Sequence, residues 1–485
     1  MAVDEAPVEK GNTHYLENVD EQAAHIANQD DHDITAIQAL RKNPTTVLWC
    51  AYAIWILVLN SFENQAAGSA LGIPQFRKDF GYAFGGDYVL PADWQGAFSG
   101  GPVASAVFGS FAAGWIADKI GRKLTYAICF LFSVIGITLE VVATNSPVFF
   151  GGKFVNGFAI GGFISVSFTY IGEIAPTALR GILSSAAAIA FTFGPFLVAL
   201  IQKGEGSKIT RWAYRSIFVA QYGVLAIGVA GWPFMPESPW WLLSKGKEAK
   251  AANALRKLGY TPEDVEKRMA AIVLTLEEVK RETEGASFLE CFRKSNLRRT
   301  MISIAPLSIQ ALSGVFFVSA YSTYYYQSVY SSDMSFILQI VQQVLSLIGN
   351  VCSWFIIDRI GRRNSQFYGL LLLTVILVVT AALATVGSLP ALKGISSPNT
   401  MWSFVIPFVF NPDKAALGGK TCFIFAGLAV FCLIYLWFCQ PETAGRTYEE
   451  LDEMFIKGVP AREFKTYVTD AQLRGEQAKE IQRDS

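Results

Sequence analysis

Glu63 is an acid set within an apolar stretch. The run Thr45–Phe62 is long enough to cross a bilayer, and the residues after Glu63 and Asn64 stay largely apolar up to Gly72. A carboxylate there is costly, so it either finds a cation or takes up a proton. Lys153 is a cation in a comparable place, near the start of the apolar run Val148–Ile171. The alternative is that each side chain snorkels to a nearby interface. A second group carries amides and rings: Gln310, Ser313, Phe316, Phe317 and Tyr321. Gln310 and Ser313 are three apart and share a helical face. An amide both donates and accepts, which suits a hydroxyl-rich ligand, and the rings can stack on its C–H face. Further on, Gln339, Gln343, Ser346 and Asn350 form one polar stripe on an apolar segment. Such a stripe either lines a cavity or bonds to another helix.

A third group sits at segment ends. Gly114-Trp-Ile-Ala-Asp118-Lys-Ile-Gly-Arg122-Lys recurs half a chain later as Ile357-Asp358-Arg-Ile-Gly-Arg362-Arg363. Each copy closes one apolar segment and opens another. Glycine permits the tight turn. The aspartates and arginines cannot enter lipid cheaply, so they mark a membrane face. One charged turn reused at matching places indicates two related halves, an arrangement typical of secondary transporters. Glu173, Arg180 and Glu237 also fall at segment ends on this side, and Arg359 and Glu442 join Asp358 and Arg362 in the second half. Opposite charges here can pair when this side closes and separate when it opens. Partly exposed pairs of this kind are each worth only ~0–1 kcal/mol.

The elements that position these residues are membrane helices. Of 485 residues, 52% are hydrophobic and 16% charged, against about a quarter charged in soluble proteins. Runs near the ~20 residues that span a bilayer recur along most of the chain. We place spans at about Thr45–Phe62, Gln95–Ala117, Leu124–Ala143, Val148–Ile171, Ile182–Ile201, Ser216–Pro233, Ile302–Tyr325, Ser335–Ile357, Gln366–Val386 and Thr421–Phe438. Arg77–Asp93 reads as a polar loop, and Gly96, Gly100, Gly101, Ser105 and Gly109 give the second span a small-residue face for close packing. The domain plan is then a disordered tail (1–44), a six-helix bundle (45–235), a linker with amphipathic surface helices (236–298), a second bundle of about four spans (299–440) and a polar tail (441–485). Lys and Arg crowd the loops after the second, fourth, sixth and eighth spans, so these loops and both termini are expected to be cytosolic.

Several classes are excluded. The net charge is zero, so no nucleic-acid partner is implied. The seven cysteines show neither metal-ligand spacing nor a disulfide framework. All three histidines lie in the first 32 residues, which argues against an intramembrane hydrolase or zinc site. No enzyme activity and no cofactor are expected. The N-terminus lacks the basic start and apolar core of a signal peptide. The partners implied are the lipid bilayer and a small molecule, and the sequence specifies no oligomeric state.

Together the motifs resemble the sugar porter family of the major facilitator superfamily, most closely fungal maltose and hexose permeases. The carriers are Gly114–Arg122, Asp358–Arg363, Glu173–Gly181, Pro236–Leu242, Leu312-Ser-Gly314 with Tyr321-Ser-Thr-Tyr, and Pro441–Thr447 with Glu450-Leu-Asp. The resemblance implies an all-α membrane protein with two helical bundles around a central site that opens alternately to each side. It implies secondary active transport of a sugar or glycoside at a plasma membrane, with a proton as coupling ion. It places a sugar ligand at Gln310; from their own positions on the two polar and aromatic faces, Ser313, Phe316, Tyr321, Gln343 and Asn350 are the further expected substrate contacts. It puts Glu63 where proton-coupled relatives carry an aspartate and Lys153 where they carry an arginine, so the two form a coupling pair. Asp118, Arg122, Glu173, Arg180, Glu237, Asp358, Arg362 and Glu442 are the expected gating charges.

The sequence also departs from that family. Ala188, Pro195, Ala311 and Phe316 stand where bacterial xylose symporters and their relatives carry polar residues. A less polar metabolite carried on the same scaffold is therefore an alternative cargo. After the ninth span the family has two more helices before the last. Here residues 387–420 hold only one apolar stretch of ~10 residues, too short to cross. The second bundle reads as incomplete, lacking the tenth and most of the eleventh helix. A truncated, non-functional isoform is the other alternative. A sugar sensor fits less well, because only ~45 residues follow the last span.

Overall fold

In the computed structural model the described residues are 36–84, 87–283, 292–313, 326–327, 331–386, 421–441, 454–455, 457–464 and 466–468. For Arg180, Ser313, Asp358 and Arg362 the backbone alone is described. Phe316, Phe317, Tyr321 and Glu442 lie outside the described residues, as do 387–420, where the expected loss of two helices falls.

The described chain is almost entirely helical. A short helix α1 (Ala36–Lys42) precedes α2 (Pro44–Leu71), and α3 (Pro74–Phe80) leads into a hairpin of β1 (Tyr82–Phe84) and β2 (Asp87–Val89). Then come α4 (Ala92–Ile120), α5 (Arg122–Val142), α6 (Ser146–Ile174), α7 (Thr177–Glu205) and α8 (Trp212–Gly231). Surface helices follow: α9 (Pro239–Ser244), α10 (Glu248–Lys257) and α11 (Pro262–Thr283). The second half contains α12 (Lys294–Ser313), α13 (Ser332–Ile360), α14 (Arg362–Val386) and α15 (Thr421–Cys439). Among the described residues seven helices are long and apolar enough to cross a membrane, lying within α2, α4 to α8 and α13. Shorter apolar segments lie in α14 and α15.

Three sequence expectations change. The first span runs to Leu71, nine residues beyond Phe62, so Glu63 lies inside a helix and not past its end. The loop Arg77–Asp93 contains part of α3 and a two-stranded hairpin. The polar C-terminal tail is partly packed. Met454, Val459 and Phe464 form a small buried cluster, and Arg298 on α12 donates to the Val459 carbonyl at 2.7 Å.

Small residues set the tightest packing, between α4 and α6. A Cβ on Gly161 would land in the backbone of Ala106, so the two helices touch main chain to main chain. Ser105 and Ser110 hydroxyls then reach across to the Phe154 and Gly161 carbonyls at 2.6 and 3.0 Å. These are the close contacts that small residues permit inside a bilayer. Gly121 and Gly361 close the two charged turns with φ of 100° and 89°, the left-handed region open to glycine.

Candidate functional site

The first site lies inside the first bundle, where α2, α5 and α6 meet. Lys153 Nζ is 2.7 Å from Glu63 Oε1, and both side chains are closed to solvent at 0% and 1% exposure. The snorkelling alternative fails here, because neither group reaches a surface. Aromatic rings wall the ammonium: it lies 4.7 Å from the Phe218 ring centroid and 5.7 Å from that of Phe149. Cation–π contact partly replaces the lost hydration. A residue that the sequence reading passed over completes the arrangement. Glu140 Oε2 on α5 is 3.5 Å from the same Nζ and is fully buried. Asn156 Nδ2 donates to Glu140 Oε1 at 3.4 Å, and the Ser133 hydroxyl donates to Asn156 Oδ1 at 2.9 Å. Gly152 makes this approach possible: a Cβ there would strike the Glu140 main chain. The signal was a second acid, three residues before the end of the apolar run Leu124–Ala143, which needs none.

The second site is the charged turn between α4 and α5. Arg122 grips Glu173 with two bonds, Nε to Oε2 at 3.0 Å and Nη2 to Oε1 at 2.6 Å. Its Nη1 donates to the Ala117 carbonyl at 3.0 Å, and Asp118 lies 3.4 Å away. The side chains of Arg122 and Glu173 are 8% and 17% exposed, so this is a buried fork and not the weak, partly exposed pair expected. Asp118, at 76%, keeps the exposed character. Glu237 does not pair with a guanidinium. Its carboxylate accepts from the backbone amides of Arg122, Lys123 and Ser238 at 2.9, 3.2 and 3.0 Å, capping α5 where the helix dipole favours an anion. Trp241 Nε1 donates to the Asp118 carbonyl at 3.0 Å, which ties α9 to the turn. Asp118, Arg122, Glu173, Trp240 and Trp241 line a cleft of about 300 Å³.

The third site is the seam between the halves. The polar stripe of α13 faces the first bundle. Gln339 is fully buried and donates to Ser69 Oγ at 3.3 Å, while Gln202 donates to the Ser69 carbonyl at 2.8 Å. Gln343 is buried. Asn350 Nδ2 meets Thr192 Oγ1 on α7 at 2.5 Å. Of the two roles open for the stripe, helix-to-helix bonding holds for Gln339 and Asn350. At the end remote from the charged turns, Asp333 accepts from Lys203 at 3.0 Å and Ser207 at 3.1 Å, and Arg77 donates to Gln327 at 2.9 Å. Phe336 and Ser335 are fully buried there. At the charged-turn end, the described bonds of Asp118, Arg122, Glu173 and Glu237 all stay within the first half and α9. Gln310 sits exposed on α12, three residues before the helix ends.

The sequence model of the family described as Sugar (and other) transporter matches residues 49–397 and 391–455. The two matched stretches overlap at residues 391–397, within the part of the sequence whose apolar stretch is too short to cross. General alpha-glucoside permease of Saccharomyces cerevisiae (strain ATCC 204508 / S288c) is 26% identical over 500 residues, covering 92% of this chain and 81% of that protein. MFS transporter fmqE of Aspergillus fumigatus is 28% identical over 502 residues, covering 90% and 92%. These alignments are longer than the share of this chain they use, so the relatives carry residues that have no counterpart here. Among solved structures, the proton:xylose symporter XylE bound to 6-bromo-6-deoxy-D-glucose superposes with a TM-score of 0.66 at 19% identity. It covers 85% of this chain and 100% of that one. The partially occluded inward-open conformation of XylE from E. coli gives 0.59 at 17% identity, covering 82% and 100%. The fold is therefore that of the major facilitator superfamily.

Proposed function

The chain belongs to the Sugar (and other) transporter family, and on that premise we propose that it carries a sugar or glycoside across a plasma membrane by alternating access, with a proton as the coupling ion. The observation that carries this reading is the membrane-buried Glu63–Lys153 pair at 2.7 Å. An ion pair sealed between helices has a high desolvation cost, and one partner's protonation removes much of the attraction. Protonating Glu63 frees Lys153, and α2 and α6 then shift relative to one another. That links proton occupancy to conformation. The names of the relatives, alpha-glucoside permease and proton:xylose symporter, support both halves of the reading.

The seam supports alternating access. The halves are bonded together at the end remote from the charged turns, through Lys203–Asp333, Arg77–Gln327 and Ser69–Gln339. With the turns and both termini cytosolic, this is a state closed to the outside. Gln310, exposed on α12, is the proposed contact for a substrate entering from the cytosolic side, with Ser313, Phe316, Tyr321 and Gln343 as further contacts. Arg122, Glu173 and Glu237 hold the first-half gate, and Arg180, Asp358, Arg362 and Glu442 are its proposed remaining charges. The test is uptake of labelled maltose and glucose into yeast lacking its own sugar carriers. Accumulation that a protonophore collapses is the expected result, and equilibration insensitive to it overturns the coupling.

One observation favours a second reading, a less polar cargo. Asn350 uses its amide on Thr192, beside Ala188, where relatives carry polar groups. This leaves fewer free polar atoms for sugar hydroxyls. Uptake or export of apolar metabolites with no response to maltose or glucose would select it.

A further inference from the structure

We propose that Glu63 and Glu140 together hold one exchangeable proton around Lys153, so that the coupling site is a cluster of three charged side chains on three helices. The proposal rests on the proton-coupled reading above and assigns that reading a residue it does not contain. Its ground is a charge count in a sealed space. Two carboxylates approach one ammonium, at 2.7 and 3.5 Å, and all three side chains are at most 1% exposed. If both acids are ionised, the cluster carries one uncompensated negative charge with no water to solvate it.

The surroundings offer no other compensation among the described residues. From α5 come only Glu140 and the neutral Ser133, since Arg122 and Lys123 sit at the far end of that helix. From α6 come Lys153 and the neutral Asn156. From α8 come Phe218 and, one turn on, the buried amide Gln221. Arg211 and Arg215, at the α8 start, are taken by Asp79 and by the Ala143 carbonyl. On α3, Arg77 pairs with Asp87, Asp79 accepts from Tyr214, and Lys78 is exposed. The charged residues of α4 and α7 lie near the ends of those helices.

The hydrogen bonding points the same way. Oε2 of Glu63 and Oε2 of Glu140 are both buried without a hydrogen-bond donor. The two carboxyl groups face the same ammonium, at 2.7 and 3.5 Å. A single proton on either acid turns a buried, donor-less oxygen into a hydroxyl and brings the cluster to neutrality. Asn156, fixed by Ser133, presents its NH₂ to Glu140 in either state. When the proton leaves, Lys153 is left between two anions on α2 and α5. The change is felt by three helices, a wider lever than a pair on two.

The test is infrared spectroscopy of the purified protein in lipid nanodiscs, following the C=O stretch of protonated carboxyl groups as pH is varied. Wild type should show one such band near neutral pH that titrates away in alkali. Glu140→Gln and Glu63→Gln should each abolish it, because either leaves a neutral carboxylate–lysine pair. Glu140→Asp keeps the carboxylate and should keep the band. No such band in wild type, or a wild-type band in Glu140→Gln, overturns the proposal. It does so without touching the proton-coupled reading, which falls separately if wild type fails to concentrate maltose in response to an inward proton gradient. A band lost in both glutamine variants supports the shared proton whatever the uptake result.

Discussion

Arg122→Ala should damage the protein more than any other single change in the charged turn. Arg122 is 7% exposed, and it holds Glu173 with two bonds and the Ala117 carbonyl with a third. Truncation leaves Glu173, whose side chain is 17% exposed, without its cation, while the Ala117 carbonyl keeps only its bond from Gly121 N–H. Breaking a buried ion pair from one side costs about 3–5 kcal/mol. The residual exposure of Glu173 puts the loss at the lower end, near ~3 kcal/mol. Arg122→Lys retains the charge but not the planar fork. It should lose roughly one charge-assisted bond, ~1.5–3 kcal/mol. Thermal unfolding in detergent should therefore rank wild type above Arg122→Lys and Arg122→Ala last. In transport, Arg122→Ala should slow net flux while equilibrium substrate affinity stays within a few-fold, because the turn lies far from the central seam. An Arg122→Ala protein that melts with wild type, or one that loses affinity at unaltered turnover, refutes this reasoning.

Gln310→Ala should weaken substrate binding by roughly 1–3 kcal/mol, the cost of leaving a bonded polar partner unsatisfied; unchanged affinity in equilibrium binding would remove Gln310 from the site. Gly161→Val should push α4 and α6 apart, since even a Cβ would overlap the Ala106 main chain. Overpacking of this kind costs typically ~1–3 kcal/mol or more, and a sharp fall in monodisperse yield on gel filtration should report it.

Helix positions were readable in the sequence to within a few residues at most ends, because apolar length alone marks a crossing. The start of the seventh span, where α12 begins at Lys294 and not Ile302, and the end of the first were the exceptions. The last turns of the first span carry Glu63, Asn64, Gln65 and Ser69, which look like a loop until their partners are known: Lys153 for Glu63 and Gln339 for Ser69. The hairpin was signalled by Gly85-Gly86 between two aromatic-bearing segments, a recognised turn pattern. Glu140 was missed because periodicity does not say which neighbour a helix face meets. Only the contact of α5 with α6 turns it toward Lys153. Glu237 was read as a gating charge by type; the sequence did not show that its carboxylate caps α5 through the backbone amides of Arg122 and Lys123. The α13 stripe left two roles open. The bonds to Ser69 and Thr192 of the first bundle decided the role of two of its residues.

The central claim is that the Glu63–Lys153 site couples a proton to movement of the cargo. The most direct measurement compares uphill accumulation with equilibrium exchange in Glu63→Gln, using labelled maltose in proteoliposomes. The isosteric amide removes the titrating group from the cluster. The account predicts that the variant no longer concentrates maltose under an inward proton gradient, yet still exchanges labelled for unlabelled maltose across the membrane. A Glu63→Gln protein that still accumulates maltose in response to that gradient would contradict it.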